Sequence, residues 1–220
     1  MPKIKTVLFD LDGTLADTAP DLAGALNHVL KIHSCAPLPY DIIRPYVSHG
    51  GVALITLGFG KAHPEFDTLY QELLQYYQNN IANETTLFPG MNELLTELEK
   101  NNINWGVVTN KPGWLTEPLL DALNLTSRAI SIVSGDTLKQ RKPHPAPILH
   151  ACQEAGSSAA ECIYIGDAER DIEAANAAGM PSVVALFGYI AEHDAPETWG
   201  AHTSINHPLE ILSIIDSLNN

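Results

Sequence analysis

The stretch Val7-Leu8-Phe9-Asp10-Leu11-Asp12-Gly13-Thr14-Leu15-Ala16-Asp17-Thr18 constrains this chain most, because an apolar run stops abruptly at two carboxylates and a glycine. Ile4 to Phe9 is short, β-branched and aromatic, as a strand covered on both faces should be. Asp10 and Asp12 therefore fall at its carboxyl end, where open α/β sheets bind ligands. Two ionised carboxylates about 4 Å apart repel by roughly 4 kcal/mol at an effective dielectric near 20. Such a pair calls for a cation, a shared proton or separate roles; the alternative is an Asp-Gly turn with solvated aspartates.

After Asp17 the pattern turns helical with no strong strand candidate. Asp21-Leu22, Leu26, Val29, Leu30 and Ile32 mark one helix. Shorter pieces follow at about Tyr40 to Val47 and Gly51 to Leu57, separated by Ser48-His49-Gly50-Gly51 and closed by Gly58-Phe59-Gly60. Phe66, Leu69, Leu73, Tyr76, Tyr77 and Ile81 then recur at three- and four-residue intervals, an amphipathic helix. From Phe88-Pro89-Gly90 onward strands and helices alternate, with strands expected at Ile103 to Val108, Ala129 to Ser134, Cys162 to Ile165, Ser182 to Leu186 and Thr203 to Asn206. Alternation of this kind implies a parallel sheet with helices on both faces, an α/β Rossmann-like core. The domain expectation is a core of 1–17 and 87–220 and an inserted all-helical cap of 18–86. The Asn219-Asn220 end is expected to fray.

The chain has 220 residues, enough for one such domain and its insertion. A formal net charge of −14 argues against sequence-independent nucleic-acid binding, and any phosphate site must carry its own cations out of only 12 Lys and Arg. Cys35, Cys152 and Cys162 are odd in number and show no CxxC spacing, so reduced, buried thiols are expected rather than a disulfide or zinc framework. Met1-Pro2-Lys3 leads straight into Ile4 and no apolar stretch reaches about 18 residues, which points to the cytoplasm and to no membrane partner. Gly58-Phe59-Gly60-Lys61 lacks the spacing of a phosphate loop and reads as a helix-ending turn. Trp105 and Trp114 read as core packing.

Three further segments end a strand or begin a helix with polar groups. In Val107-Val108-Thr109-Asn110-Lys111 the Thr109 hydroxyl and the N–H groups that follow, Asn110 among them, could hold phosphate oxygens; Thr-Asn after a strand is also an ordinary helix entry. In Lys139-Gln140-Arg141-Lys142-Pro143-His144-Pro145, Lys142 stands against a proline and could neutralise a phosphate, or the segment is a solvated basic loop. In Ile163-Tyr164-Ile165-Gly166-Asp167-Ala168-Glu169-Arg170-Asp171, Asp167 and Asp171 lie one helical turn apart and could hold Mg²⁺ through hard oxygen ligands, or serve the helix N-terminus.

Taken in order, Asp10–Asp12, Thr109, Lys142 and Asp167–Asp171 resemble the four motifs of the haloacid dehalogenase superfamily, across essentially the whole chain. The likeness is greatest to its phosphoglycolate phosphatase-like branch, whose cap begins with a DTxPD pattern similar to Asp17-Thr18-Ala19-Pro20-Asp21. The resemblance implies that Asp10 attacks phosphorus and that Asp12 protonates the leaving group and then activates water. It implies that Thr109 and Lys142 bind phosphoryl oxygens, and that Asp10, the Asp12 carbonyl, Asp167 and Asp171 serve Mg²⁺. Ala168 departs from the hydroxyl or carboxylate that relatives often carry there, which bears on the outer metal shell.

In the cap, Arg44 could meet a substrate carboxylate, with Ser48 and His49 donating hydrogen bonds; the alternative is a solvated arginine beside a turn. The resemblance puts 2-phosphoglycolate first as substrate. The Arg44 to Gly51 segment, Trp105 to Pro112, and Gly188-Tyr189-Ile190 with Trp199-Gly200-Ala201 are also similar to enzymes that dephosphorylate N-acetylmuramic acid 6-phosphate. A sugar phosphomutase and a non-catalytic phosphate-binding regulator are rival readings; the second would be marked by loss of Asp10 or Asp12. The expected partner is a small phosphomonoester, with the chain a monomer or homodimer.

Overall fold

The computed structural model describes residues 3–219. Met1 and Pro2, which lead into the first strand, lie outside the described residues. Strand β1 (Thr6–Phe9) is buried along its whole length, as its uninterrupted apolar sequence requires. It leads into a two-residue strand β2 (Ala16–Asp17), and then into helices α1 (Ala19–Ile32), α2 (Tyr40–Ile43), α3 (Gly50–Phe59) and α4 (Phe66–Asn79). The chain returns through β3 (Thr86–Leu87), which pairs antiparallel with β2. Thereafter α5 (Met91–Lys100), β4 (Asn104–Val108), α6 (Gly113–Ala122), β5 (Ile132–Val133), α7 (Ala146–Glu154), β6 (Cys162–Gly166), α8 (Glu169–Ala177), β7 (Ser182–Ala185), β8 (Thr203–Ile205) and α9 (Glu210–Asn219) alternate.

The main sheet runs β5-β4-β1-β6-β7-β8, parallel throughout. The chain winds from β1 outward through β4 and β5, then crosses back to β6 on the other side of β1. That reversal opens a crevice at the carboxyl ends of β1 and β6, the switch point where α/β sheets accommodate ligands. In register, Phe9 lies between Val107 and Ile165, so the residues that follow each strand leave the sheet at one level. Each fully buried side chain of the Phe9, Leu8 and Ile165 kind contributes about 1.5–3 kcal/mol, so the strand ends are firmly anchored.

Helix α1 packs along α4, and α4 buries Leu69, Leu73 and Tyr77 on the face predicted from its periodicity, with Leu74 beside them. The expected helical piece at 40–47 differs in detail: α2 is one turn, and Arg44–His49 continue as a 3₁₀ helix with Pro45 in its first turn. Helix α3 then runs through Gly58, where a Cβ would press on Leu26 and Leu30 of α1 at 3.0–3.3 Å, and stops at Gly60, whose φ of 83° needs a glycine. The helical segment is fastened where it leaves and rejoins the sheet. Buried Asp21 of α1 accepts the N–H groups of Glu84 and Thr85 and the Thr85 hydroxyl at 2.7–3.1 Å.

Three expectations are corrected. Trp105 is buried, with its indole N–H donating to Glu99, but Trp114 is 42% exposed, because the first turn of α6 faces a cavity rather than the core. Cys152 and Cys162 are buried free thiols, whereas Cys35, in the turn after α1, is exposed. Asn219 is not frayed: its side-chain oxygen accepts the Ile4 N–H at 2.7 Å and ties α9 to the start of the sheet. Asn220 lies outside the described residues.

Candidate active site

Asp10 is the first residue beyond β1, and its own N–H still donates to Ile165 of β6 at 2.9 Å. The carboxylate is buried, accepts the Leu11 N–H at 2.7 Å and lies 3.0 Å from the Lys142 ammonium. Burial works to raise its pKa, but Lys142 and Arg170 outweigh it and hold Asp10 below the usual carboxylate range. Asp10 is thus ionised and has a cation in contact.

Lys142 sits in the loop between β5 and α7. Its ammonium is 2.7 Å from Asp171 and donates to the Tyr164 hydroxyl at 2.8 Å, and that hydroxyl donates in turn to the Val108 carbonyl. The Asn110 amide grips the Lys142 backbone in both directions at 2.9 and 3.0 Å. The Asn110 side chain therefore positions the lysine, and its carboxamide is committed to that task. Thr109 closes β4 with a buried hydroxyl that accepts the Lys111 N–H at 3.1 Å.

Asp167 follows β6, and Asp171 stands in the first turn of α8. Gly166 lets α8 begin this close, since a Cβ there would collide with the Asp171 side chain. Gly13, at φ 86°, likewise leaves room for the Asp167 carboxylate. Asp167 accepts the Ser48 hydroxyl at 2.6 Å, the Tyr189 N–H at 2.9 Å and the Thr14 hydroxyl at 3.3 Å. These donors surround Asp167 without any polar side chain from Ala168, whose N–H donates to Asp171 instead.

Asp10, Asp167 and Asp171 bring one carboxylate oxygen each within 4.8 Å of one another, all buried. Lys142 and Arg170 are the cations beside them, so three carboxylates face two positive charges. Asp171 Oδ1 is buried and accepts no well-directed hydrogen bond among the described residues, although the Lys142 ammonium lies close by. Crowded hard oxygens, one short of hydrogen-bond partners, fit a divalent cation.

Burial first, and then the charges of Asp10 and Asp171, push Asp167 up to about 7, against the pull of Ser48 and the Tyr189 N–H. A carboxyl raised from 3.8 stabilises the folded state most below pH 4, and that contribution is lost as pH rises toward 7. Metal-free protein should therefore lose roughly 1.4 kcal/mol per pH unit from this group between pH 5 and pH 6, and about half that slope by pH 7. Saturating divalent cation should flatten the slope. Urea unfolding across that range measures it, and a metal-free stability that does not fall contradicts the crowding.

Asp12 lines the crevice with Asp10, and its carbonyl lies 3.4 Å from the Ser48 hydroxyl that donates to Asp167. Asp12 Oδ1 accepts both the Thr18 hydroxyl at 2.7 Å and the Lys111 ammonium at 2.8 Å. Asp10, Asp12, Thr109 and Asn110 line one cavity of about 590 Å³ with Ser48 and His49. Tyr70, Tyr77 and Trp114 form its aromatic wall. Burial and the nearby Arg170 hold His49 below the usual histidine range, so it lines the cavity as a neutral imidazole. Ser48, His49 and Arg170 also face a second cavity of about 330 Å³ that reaches Asp167 from behind.

Arg44 is not brought to either cavity. Its guanidinium donates to the carbonyls of Gly188 at 3.0 Å and Phe187 at 3.2 Å and lies 4.8 Å from the Tyr189 ring centre, so two of its N–H groups hold the loop after β7. Five residues here escape sequence reasoning: Lys111, Arg170, Tyr77, Tyr164 and Tyr189. Lys111, Tyr164, Arg170 and Tyr189 stood inside segments quoted above but were given no role there, and Tyr77 read as part of an amphipathic face.

A parallel sheet whose switch point gathers Asp10, Asp12, Lys142, Asp167 and Asp171 defines a class, and comparison with known proteins gives its name. The sequence model of the haloacid dehalogenase-like hydrolases matches residues 7–185, and the chain belongs to that family. More particularly, it is 44% identical to a phosphoglycolate phosphatase of Xylella fastidiosa, over 93% of this chain and 90% of the relative. It is 38% identical to an N-acetylmuramic acid 6-phosphate phosphatase of Pseudomonas putida, over 98% and 97%. A crystal structure from Haemophilus somnus, described as a predicted phosphoglycolate phosphatase, superposes with a TM-score of 0.87 at 28% identity, over 97% of this chain and 99% of that one.

Proposed function

We propose that the protein hydrolyses a small phosphomonoester with Mg²⁺ through an aspartyl-phosphate on Asp10. The observation that carries this reading is the ionised Asp10 at the switch point, held 3.0 Å from Lys142 and beside Asp167 and Asp171. An Asp10 oxygen attacks phosphorus while the bond to the leaving oxygen breaks, and Asp12 gives that oxygen its proton. Asp12 then takes a proton from water as the water attacks phosphorus, which releases phosphate and restores Asp10. Thr109 and Lys142 hold the phosphoryl oxygens, with Asn110 keeping Lys142 in place. Mg²⁺, held by Asp10, Asp167, the Asp12 carbonyl and, in support, Asp171, would offset the charge that builds on those oxygens.

In this reading residues 18–86 are a cap that selects the leaving group, and 1–17 with 87–220 are the catalytic core. Ser48 and His49 line the cavity from the cap side and so remain candidates for leaving-group contact. Among the described residues no helix is long and apolar enough to cross a membrane. The free thiols support a reducing compartment, the cytoplasm, with the enzyme a monomer or homodimer.

The substrate proposed first is 2-phosphoglycolate, supported by the identity to the Xylella enzyme. A specific observation favours N-acetylmuramic acid 6-phosphate as the second reading: a cavity of about 590 Å³ with aromatic walls is far larger than a two-carbon acid needs. Comparing kcat/KM on both compounds and on hexose phosphates, with and without Mg²⁺, tests the assignment. Equal, very low rates on all of them would remove it.

Both acids carry a carboxylate. Arg141 lines the cavity, and its guanidinium makes no hydrogen bond or ion pair among the described residues, unlike the committed Arg44. Arg141→Ala should raise KM for the acid substrates about tenfold, the size of one exposed charge-assisted contact, and for p-nitrophenyl phosphate much less. An equal rise on both would exclude carboxylate recognition at this position.

A further inference from the structure

Lys111 belongs to the loop after β4, yet its ammonium reaches two other parts of the chain. It donates to Asp12 Oδ1 at 2.8 Å and to the Tyr77 hydroxyl at 3.0 Å, and lies 4.5 Å from the centre of the Tyr77 ring. Its side chain is only 6% exposed, and Tyr77 of α4 is fully buried. A lysine held this tightly is positioned by its surroundings and in turn fixes what it touches. Asp12 Oδ1 also accepts the Thr18 hydroxyl, so two donors from opposite sides occupy one carboxylate oxygen. Asp12 Oδ2 has no partner among the described residues and is the oxygen left for proton exchange with substrate and water.

We propose that Lys111, itself fixed by the Tyr77 hydroxyl of α4, is the positioning residue of Asp12, pinning Oδ1 so that Oδ2 faces the leaving group only when the helical segment is seated. This rests on the phosphatase reading above. Lys111 acts through Asp12 and touches neither the nucleophile nor, on this proposal, the transferring phosphoryl group. The arrangement links the choice of leaving group, made by the helices, to the aim of the proton donor that the leaving group requires.

The leaving group supplies the test. An alkyl phosphomonoester must be protonated as it departs, whereas the phenolate of p-nitrophenyl phosphate leaves without a proton, so a misaimed acid affects the first far more. Lys111→Met and Tyr77→Phe keep most of the buried volume, and their melting curves verify folding. With Mg²⁺ present, Lys111→Met should lower kcat on 2-phosphoglycolate or N-acetylmuramic acid 6-phosphate about 100-fold. On p-nitrophenyl phosphate kcat should fall by less than about fivefold, with KM changed less than about threefold throughout. Tyr77→Phe should show the same split at about tenfold. Equal losses on alkyl and aryl esters, or a rise in KM with kcat intact, would overturn the proposal and make Lys111 a ligand of the substrate. If the wild-type protein hydrolyses none of these esters, the phosphatase reading fails instead. The link to α4 is then read by amide exchange of residues 66–79, which should be faster in Lys111→Met; unchanged exchange overturns it.

Discussion

Asp10→Asn should abolish Mg²⁺-dependent phosphomonoester hydrolysis, with kcat falling on the order of 10⁴-fold or more, because an amide cannot form the acyl phosphate. The substitution keeps the shape of the side chain, and an amide oxygen still accepts the Leu11 N–H. It also removes the charge that Lys142 and Arg170 favour, so metal-free stability should fall modestly while the fold survives. Steady-state assays on the preferred substrate, beside a melting curve, measure both halves. Activity within tenfold of wild type would show that Asp10 is not the nucleophile.

The second large effect is expected at Lys142. Its ammonium is enclosed by Asp10, Asp171 and Tyr164, with no exposed side-chain surface. Lys142→Met leaves two buried carboxylates without their cation, which costs about 3–5 kcal/mol of metal-free stability. Urea unfolding should show this as a lower midpoint with an unchanged slope. Divalent cation should restore part of the loss, since it meets the same carboxylates. Turnover should fall about 10³-fold even with metal if Lys142, the partner of Asp10, also holds a phosphoryl oxygen as proposed. A variant as stable as wild type without metal would mean that the pair contributes little.

The core strands were legible because strands buried on both faces leave uninterrupted apolar runs, and polar residues at their ends mark where the sheet stops. The same logic indicated Asp10, Thr109 and Asp167 as neighbours, and in the structure all three stand one residue past adjacent strands. The expected strand at 129–134 contracts to Ile132–Val133, although backbone bonds to the β4 segment already begin where the Ile130 N–H donates to the Trp105 carbonyl. The β2–β3 ribbon was invisible, since two residues carry no period.

Side-chain commitments were less legible, for a physical reason. A charged residue reads alike whether solvated or enclosed, and only the tertiary approach of Tyr77 to Lys111, or of Phe187 and Gly188 to Arg44, decides between them. Arg141, beside Lys142 in sequence, lines the large cavity, and the cap arginine does not.

The grip of Asp21 on Glu84 and Thr85 has a mechanical consequence. Because the outgoing and returning connections are stitched together beside the β2–β3 ribbon, the four helices have a single pivot. Any swing about it lifts Ser48 from Asp167 and Tyr77 from Lys111 in the same movement. On the proposed reading such a movement would take Ser48 from Asp167 and the Tyr77 anchor from Lys111, while Asp10, Lys142 and Asp171, which hold one another outside the helical segment, would stay assembled.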